Sequence, residues 1–131
     1  MNQMYAAGRE NFAAGNISFN SNTIRVVGID HADDTPVPAT DDALNDLLLA
    51  SRVFTSNALA SKTNIGGSLD ADDLLVSAVS GDQFESISMY KDSGVESTSY
   101  LFAYWDVVTG LPYTPDGSDL LIIWGTKILT I

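Results

Sequence analysis

The only histidine of the chain, His31, is the first residue whose surroundings could support chemistry. It lies in the motif Asp30-His-Ala-Asp-Asp34, where one imidazole is close in sequence to three carboxylates. A stable zinc site needs three or four protein ligands, each held in place by further hydrogen bonds. A single imidazole with loop carboxylates falls short of this requirement, so we expect a solvated loop around His31. A Ser–His–Asp triad would also have to use this histidine, from a proline-containing loop.

A second acidic run, Asp70-Ala-Asp-Asp73, contains the residue types that bind calcium. The calcium loop of helix–loop–helix proteins requires Gly at its sixth position and Glu at its twelfth. Counted from Asp70, those positions hold Leu75 and Gly81, so the motif is absent. An irregular calcium site stays open as an alternative here. The simpler interpretation is a charged turn that protects the start of a strand.

Other patterns for catalysis and phosphate binding are missing. Neither Gly-X-Ser-X-Gly nor either of the glycine-rich phosphate loops occurs in the 131 residues. The chain has no cysteine, which excludes disulfides and thiolate metal ligands. Paired carboxylates are so frequent that no single pair indicates a glycosidase-like site. We therefore predict a protein that is not an enzyme and has neither a cofactor nor a resident metal.

The acidic composition restricts the partners of this chain. Seventeen Asp and Glu residues against six Lys and Arg give a net charge of −11. Such a surface repels nucleic-acid phosphates and anionic membranes, and it suits docking onto a basic protein surface. No apolar run approaches the roughly 20 residues of a membrane helix, and the N-terminus lacks the apolar segment of a signal peptide. We therefore expect neither nucleic-acid nor membrane binding, and a protein that stays where it is made.

The N-terminal residues 1–17 are predicted to form a short helix or an ordered arm. Met4, Tyr5, Gly8 and Phe12 are spaced so that they share one helical face, and Gly15 is placed to end the helix. This face either packs on its own domain or reaches a neighbouring subunit, since terminal segments are loosely held unless something fixes them.

Residues 18–131 are predicted to form a β-rich domain. The runs 83–91, 99–108 and 119–124 are rich in aromatic and β-branched residues and are separated by turn residues, which is typical of consecutive antiparallel strands. Further strands are predicted at 17–29, 52–59, 73–79 and 127–131, loops at 30–40 and 61–73, and a short helix that begins at Thr40. The sequence thus predicts a mainly β single-domain fold, an antiparallel sandwich or barrel-like structure with two small helical pieces.

Five segments, in matching order, resemble small virion structural proteins of tailed bacteriophages. They are Gly8-Arg-Glu-Asn-Phe-Ala-Ala-Gly-Asn-Ile17, Asn22-Thr-Ile-Arg-Val-Val27, Gly66-Gly-Ser-Leu-Asp-Ala-Asp-Asp73, Tyr90-Lys-Asp-Ser-Gly94 and Gly110-Leu-Pro-Tyr-Thr-Pro-Asp-Gly-Ser-Asp119. The likeness covers most of the chain and is strongest to head decoration, or cement, proteins. It carries over no active-site residues.

The resemblance implies a β-rich domain that forms dimers or trimers on the outside of a phage head. There it would bridge subunits of the major capsid protein, after synthesis in the host cytoplasm. Under this interpretation the N-terminal segment is the first candidate for capsid or subunit contact, through Met4, Tyr5, Arg9 and Phe12.

Three other functions stay open from the sequence. The first is a structural component of the phage tail or baseplate. The second is a carbohydrate-binding β-sandwich, in which Tyr100, Tyr104 and Trp105 would form an exposed platform. The third is an enzyme with a cleft around His31.

Overall fold

A computed structural model describes residues 1–131 as a mainly β structure with ten short strands and one α-helix. All strand pairs are antiparallel, which confirms the predicted fold class. The strands are β1 (Gln3–Met4), β2 (Ile24–Ile29), β3 (Arg52–Thr55), β4 (Thr63–Ile65), β5 (Ser68–Asp70), β6 (Leu74–Val76), β7 (Ser86–Lys91), β8 (Leu101–Trp105), β9 (Leu120–Ile122) and β10 (Leu129–Thr130). The helix is α1 (Ala6–Ala13), and single 3-10 turns span Leu44–Asp46, Leu49–Ser51 and Glu96–Thr98.

The largest sheet has five strands in the order β1-β8-β7-β2-β3. Two of its three inner strands, β2 and β7, pair without interruption from Ile24 opposite Lys91 to Ile29 opposite Ser86. Successive residues of a strand point to opposite faces, and both Val26 and Val27 are fully buried. The sheet is therefore covered on both faces at this strand, which explains why the apolar residues of β2 do not alternate strictly with polar ones.

Two separate apolar cores cover the two faces of this sheet. The larger core has 16 buried residues, among them Phe84, Met89 and Phe102, and includes side chains from the small sheets β10-β5-β4 and β6-β9. The smaller core, on the other face, is formed by Tyr5, Val27, Ile29, Leu44, Leu47, Tyr90, Leu101 and Tyr104. The arrangement resembles a small β-sandwich whose central sheet is covered on both faces.

Helix α1 packs directly onto β8 because Gly8 has no side chain. A Cβ atom at Gly8 would lie 2.4 Å from the Cα of Phe102, closer than any real contact. One turn later, the ring of Phe12 packs edge-on against Phe102, with 5.2 Å between ring centroids. The helix ends where predicted, since Gly15 adopts a left-handed conformation with φ of +80°. At eight residues, α1 is too short to cross a bilayer, and no other helix is longer.

The prediction of an internal helix that begins at Thr40 is wrong in both the start and the type of the element. Only two 3-10 turns form in this region, and the first begins at Leu44. The Asp46 carboxylate accepts hydrogen bonds from the backbone N–H groups of Asp42 and Ala43, which caps a single turn. Leu47 then adopts an extended conformation and continues into the smaller core, so the helix cannot propagate.

The predicted loop at 61–73 in fact contains a hairpin formed by β4 and β5. Gly66 and Gly67 both have positive φ angles, 61° and 82°, as a two-residue hairpin turn requires. The strand predicted from residue 17 starts only at Ile24. A turn precedes it, in which the Asn22 side chain accepts a hydrogen bond from the Ser18 N–H.

Candidate interaction surface

The ribbon formed by β6 and β9 carries apolar side chains on both of its faces. Leu74 and Val76 point inward and are buried in the larger core. Leu75 and Leu121 lie opposite each other on the outward face, where they are 49% and 53% exposed. Ile123, directly after β9, is 68% exposed. An antiparallel ribbon with one solvated face normally alternates apolar and polar residues, so this second apolar face needs an explanation other than folding.

A groove lies between β9 and the loop that precedes this strand in the chain, residues 108–113. Its volume is about 490 Å³, and its lining contains no charged side chain. We call it the β9 groove; it is lined by Phe84, Ile87, residues 108–111, Tyr113 and residues 120–123. Phe84 and Ile87 are buried, whereas Val108, Leu121 and Ile123 are exposed. The groove thus joins the buried core to the exposed apolar face of the ribbon.

Backbone hydrogen bonds fix the walls of the β9 groove. Phe84 and Tyr113 exchange two backbone hydrogen bonds of 3.0 Å each, which hold the loop against the floor. The N–H of Gly117 donates to the carbonyl of Val79 at 2.8 Å, and the N–H of Val79 donates to the carbonyl of Ser118 at 3.0 Å. These bonds anchor the turn that leads into β9. The groove is therefore formed by the fold itself and does not depend on a ligand.

The outer edge of β9 has no partner strand. β9 pairs with β6 alone, and no backbone hydrogen bond joins it to the loop across the groove. An edge strand presents unpaired N–H and C=O groups, and proteins usually protect such edges with charges, prolines or a covering segment. Residues 120–123 read Leu-Leu-Ile-Ile and contain none of these protective residues. The edge is therefore competent to accept another strand.

Acidic residues flank the β9 groove along the chain. Asp106 lies two residues before Val108, Asp119 directly precedes β9, and the Asp73 carboxylate accepts a hydrogen bond from the N–H of Trp124. The N-terminal ammonium group hydrogen bonds to Asp106 and lowers the pKa of this carboxyl, so it stays ionised. No Lys or Arg occurs between Lys91 and Lys127. The surroundings of the groove are therefore negatively charged.

The basic side chains are mostly engaged elsewhere. Arg25 forms a salt bridge of 2.7 Å with Asp92, and Arg52 forms one of 2.9 Å with Glu96. The three lysine ammonium groups donate hydrogen bonds to oxygens of Asn22, Asn16 and Thr130. None of these groups lines the β9 groove, and of the three flanking carboxylates only Asp106 has a cationic partner, the N-terminal ammonium group.

The N-terminal residues predicted to contact a partner are packed mainly against their own domain. Tyr5 is fully buried, and its hydroxyl lies 2.7 Å from the Oγ of Ser88. Burial raises the pKa of Tyr5 well above its ordinary value. Met4 belongs to β1, which pairs with β8, and Phe12 is half-buried against the larger core. Only Arg9 is exposed, so this segment would have to leave its sheet before Tyr5 could reach a partner.

His31 is hydrogen bonded to a buried serine. Its Nε2 lies 2.7 Å from the Oγ of Ser86, a distance that a nucleophile–base pair also requires. Ser86 is fully buried, however, and no carboxylate contacts the second ring nitrogen of His31. Substrate could not reach the serine, and nothing orients the imidazole as a base. The pair is therefore a structural hydrogen bond beneath the loop.

An acidic cluster lies next to this pair, and it joins two carboxylates of the Asp30–Asp34 run to Asp82, which the sequence did not indicate. Carboxylate oxygens of Asp30, Asp33 and Asp82 lie within 4.8 Å of one another, close enough to share a hard cation. One oxygen of Asp30 already accepts a hydrogen bond of 2.9 Å from the N–H of Ala32. The run Asp70-Ala-Asp-Asp73 forms no comparable cluster. Sequence reasoning missed the grouping because Asp82 is distant along the chain.

The three aromatic residues considered for carbohydrate binding do not form one platform. Tyr104 is 4% exposed and belongs to the smaller core. Tyr100 and Trp105 are half-buried and pack against the larger core, on the opposite face of the sheet. Trp105 also packs against Trp124, with 5.9 Å between ring centroids. A sugar ring therefore has no shared surface on which to stack.

The β9 groove and the outward face of the ribbon are thus the main exposed apolar features with a defined shape. They can bind apolar side chains, and the only polar side chains that line the groove are those of Thr109 and Tyr113. A scan of the chain against protein-family models and a search of curated proteins both found no match.

Proposed function

We propose that this protein is a non-enzymatic virion structural protein, specifically a decoration protein that binds the outside of a phage head. In this role it bridges subunits of the major capsid protein and stabilises the shell. The observation that carries the binding role is the exposed apolar surface formed by Leu75, Leu121, Ile123 and the β9 groove. The choice of a phage head as the target follows from the sequence resemblance.

The physical support is that an exposed apolar surface of this kind is stabilised when a partner covers it. Isolated apolar residues are common on protein surfaces, but a contiguous patch next to a groove is typical of an interaction site. Full burial of a Leu or Ile side chain is worth roughly 1.5–3 kcal/mol. Because the outward side chains are already about half covered, each would contribute roughly 1 kcal/mol on docking.

Modest binding by each copy is sufficient for capsid stabilisation. A ligand that binds the assembled shell, and not the free subunits, stabilises the shell by linkage. Many copies on one closed lattice add their contributions, so no single contact has to be strong. We propose that the decoration unit is itself a dimer or trimer. Light scattering after size exclusion would measure its mass, and a strict monomer would contradict this part of the proposal.

The proposed role is tested by co-sedimentation with shells assembled from the major capsid protein of the same genome. The expected result is that the protein sediments with intact shells at a fixed ratio and raises the temperature at which they dissociate. Association with purified tails instead of heads would favour the tail or baseplate alternative. Absence of binding to either structure would overturn the proposal.

A further inference from the structure

We propose that the β9 groove binds an extended segment of another protein, one with alternating apolar residues and flanking Lys or Arg residues. The segment pairs with the free edge of β9 and places its apolar side chains in the groove. The inference rests on the proposed function only for the identity of the partner as a capsid protein. The binding site itself follows from the geometry of this chain.

The free strand edge determines the form of the ligand. β9 offers the backbone groups of one side of a three-residue strand, and the groove is lined by residues 120–123 but by no residue of β6, its partner on the other side. A strand added to a sheet edge lies about 4.8 Å from its neighbour, and every second side chain points to the same face. Side chains at alternate positions of such a segment would therefore enter the groove, as in other cases of strand addition.

The groove needs little rearrangement to accept a strand. Its floor is formed by Phe84 and Ile87, which the fold already buries. The backbone bonds between Phe84 and Tyr113 hold the opposite wall in position. A preformed site loses less conformational freedom on binding than a flexible one, which leaves more of the apolar contact energy for affinity.

Charge distinguishes a basic partner from a second copy of this chain. Two of the residues that flank the groove along the chain, Asp73 and Asp119, form no salt bridge, and no Lys or Arg lies in the chain between Lys91 and Lys127. Two copies docked through this face would bring these carboxylates together, and each copy carries a net charge of −11. Like charges at an interface oppose association, whereas Lys and Arg flanks of a foreign segment would complement the carboxylates.

Two synthetic peptides test the inference on the isolated protein. The first, Arg-Lys-Val-Thr-Val-Thr-Val-Lys-Arg, has the proposed pattern; in the second, the four basic residues are replaced by Glu and Asp. Fluorescence anisotropy of labelled peptides gives both affinities. The expected result is that the basic peptide binds about tenfold more tightly or better, and that added salt reduces this difference. Equal affinities, or no binding of the basic peptide, would overturn the inference.

Matched variants locate the binding site. Ile123→Asp should reduce affinity for the basic peptide by at least about tenfold, because the charge lies in the apolar contact. Ile65→Asp is the control, since Ile65 is equally apolar and 77% exposed but lies in the β4–β5 hairpin. Amide chemical shifts should change at residues 108–111 and 120–123 in the wild-type protein. Loss of binding in both variants, or shift changes confined to other strands, would contradict the assignment.

The outcomes separate this inference from the proposed function. If the basic peptide binds and phage heads do not, the groove is a strand-binding site and the decoration role fails. If heads bind the wild-type protein and Ile123→Asp equally well, the decoration role stands and the groove assignment fails. If Ile123→Asp instead lowers the solution mass of the protein, the groove is occupied by a second copy, which overturns the foreign-strand inference.

Discussion

The central sheet and the β6–β9 ribbon have similar apolar residues but differ in how many faces the chain covers. In β2 and β7, apolar residues on both faces are buried, in two separate cores. In the ribbon, Leu74 and Val76 are buried, while Leu75 and Leu121 remain about half exposed. Composition alone therefore does not separate residues that fold the protein from residues available for binding. The number of faces that the chain covers separates these two groups of residues.

This difference also separates the energetic roles of the two regions. Removal of a buried side chain loses its transfer free energy and leaves a cavity. Removal of an outward ribbon side chain loses only part of this free energy in the free protein, because water already contacts about half of the side chain. The sheet should therefore be the more sensitive region in stability measurements, and the outward ribbon the more sensitive region in binding measurements.

The largest expected effect is that of Phe102→Ala in the central sheet. Phe102 is fully buried, and the rings of Phe12 and Phe19 pack edge-on against it. We expect a loss of about 3–5 kcal/mol in the free energy of unfolding, measured by urea denaturation. A loss below about 1 kcal/mol would show that the core at β8 is much looser than the structure indicates.

The next effect is that of Tyr5→Phe, which tests whether the N-terminal segment belongs to the sheet. The substitution removes the hydroxyl that lies 2.7 Å from Ser88 Oγ and leaves that buried serine without its partner. The expected loss is about 1–3 kcal/mol, and the double variant Tyr5→Phe/Ser88→Ala should recover part of it. An unchanged midpoint in urea would instead favour a segment that is not held in this position.

A smaller effect is expected from the ion pair at the edge of the sheet. The N-terminal ammonium group lowers the pKa of Asp106, so the folded protein holds this carboxylate ionised more strongly than the unfolded chain does. The contribution of this ion pair to the free energy of unfolding is therefore present above the ordinary carboxyl pKa of 3.8. It is lost as the pH falls through the lower pKa of the folded state. Asp106→Asn should cost less than about 1 kcal/mol at pH 7 and less again at pH 2.

That comparison requires the wild-type protein and the variant to be unfolded in urea at both pH values. Burial raises the pKa of Asp41, so this group favours the folded state as the pH falls. The effect is the same in both proteins and does not alter the difference between them. An equal difference in stability at pH 7 and pH 2 would contradict the ionic explanation.

The smallest effect on stability is expected in the ribbon. Ile123→Asp should change the free energy of unfolding by no more than about 0.5 kcal/mol, as for other exposed positions. Ile65→Asp provides the matched comparison in the β4–β5 hairpin. A large destabilisation by Ile123→Asp alone would show that this residue belongs to the folding core, and the contrast between ribbon and sheet would not hold.

The sequence predicted those parts of the fold that depend on local patterns. The aromatic run around Tyr90 and the run around Phe102 predicted the inner hairpin of β7 and β8, and Gly15 predicted the end of α1. The Gly66-Gly67 pair suits a two-residue hairpin turn, but residues 61–73 were predicted to be a loop. The 3-10 turn at Leu44 depends on capping by Asp46, which a stripe of leucines does not reveal.

The candidate site was less predictable because it depends on contacts between distant residues. The doubled apolar residues around Leu75 and Leu121 are visible in the sequence, but they are equally consistent with a strand buried on both faces. Only the fold shows that one face of the ribbon is left open. Likewise, no local pattern joins Asp82 to Asp30 and Asp33.

Hydrogen–deuterium exchange of the protein, alone and bound to phage heads, tests the central claim most directly. Mass spectrometry of peptic fragments would report the protection of each segment. Docking through the β9 groove predicts that residues 120–123 become protected on binding, while exchange in α1 and β1 stays unchanged. Protection of residues 3–13, without any change at 120–123, would contradict the account and would assign capsid binding to the N-terminal segment.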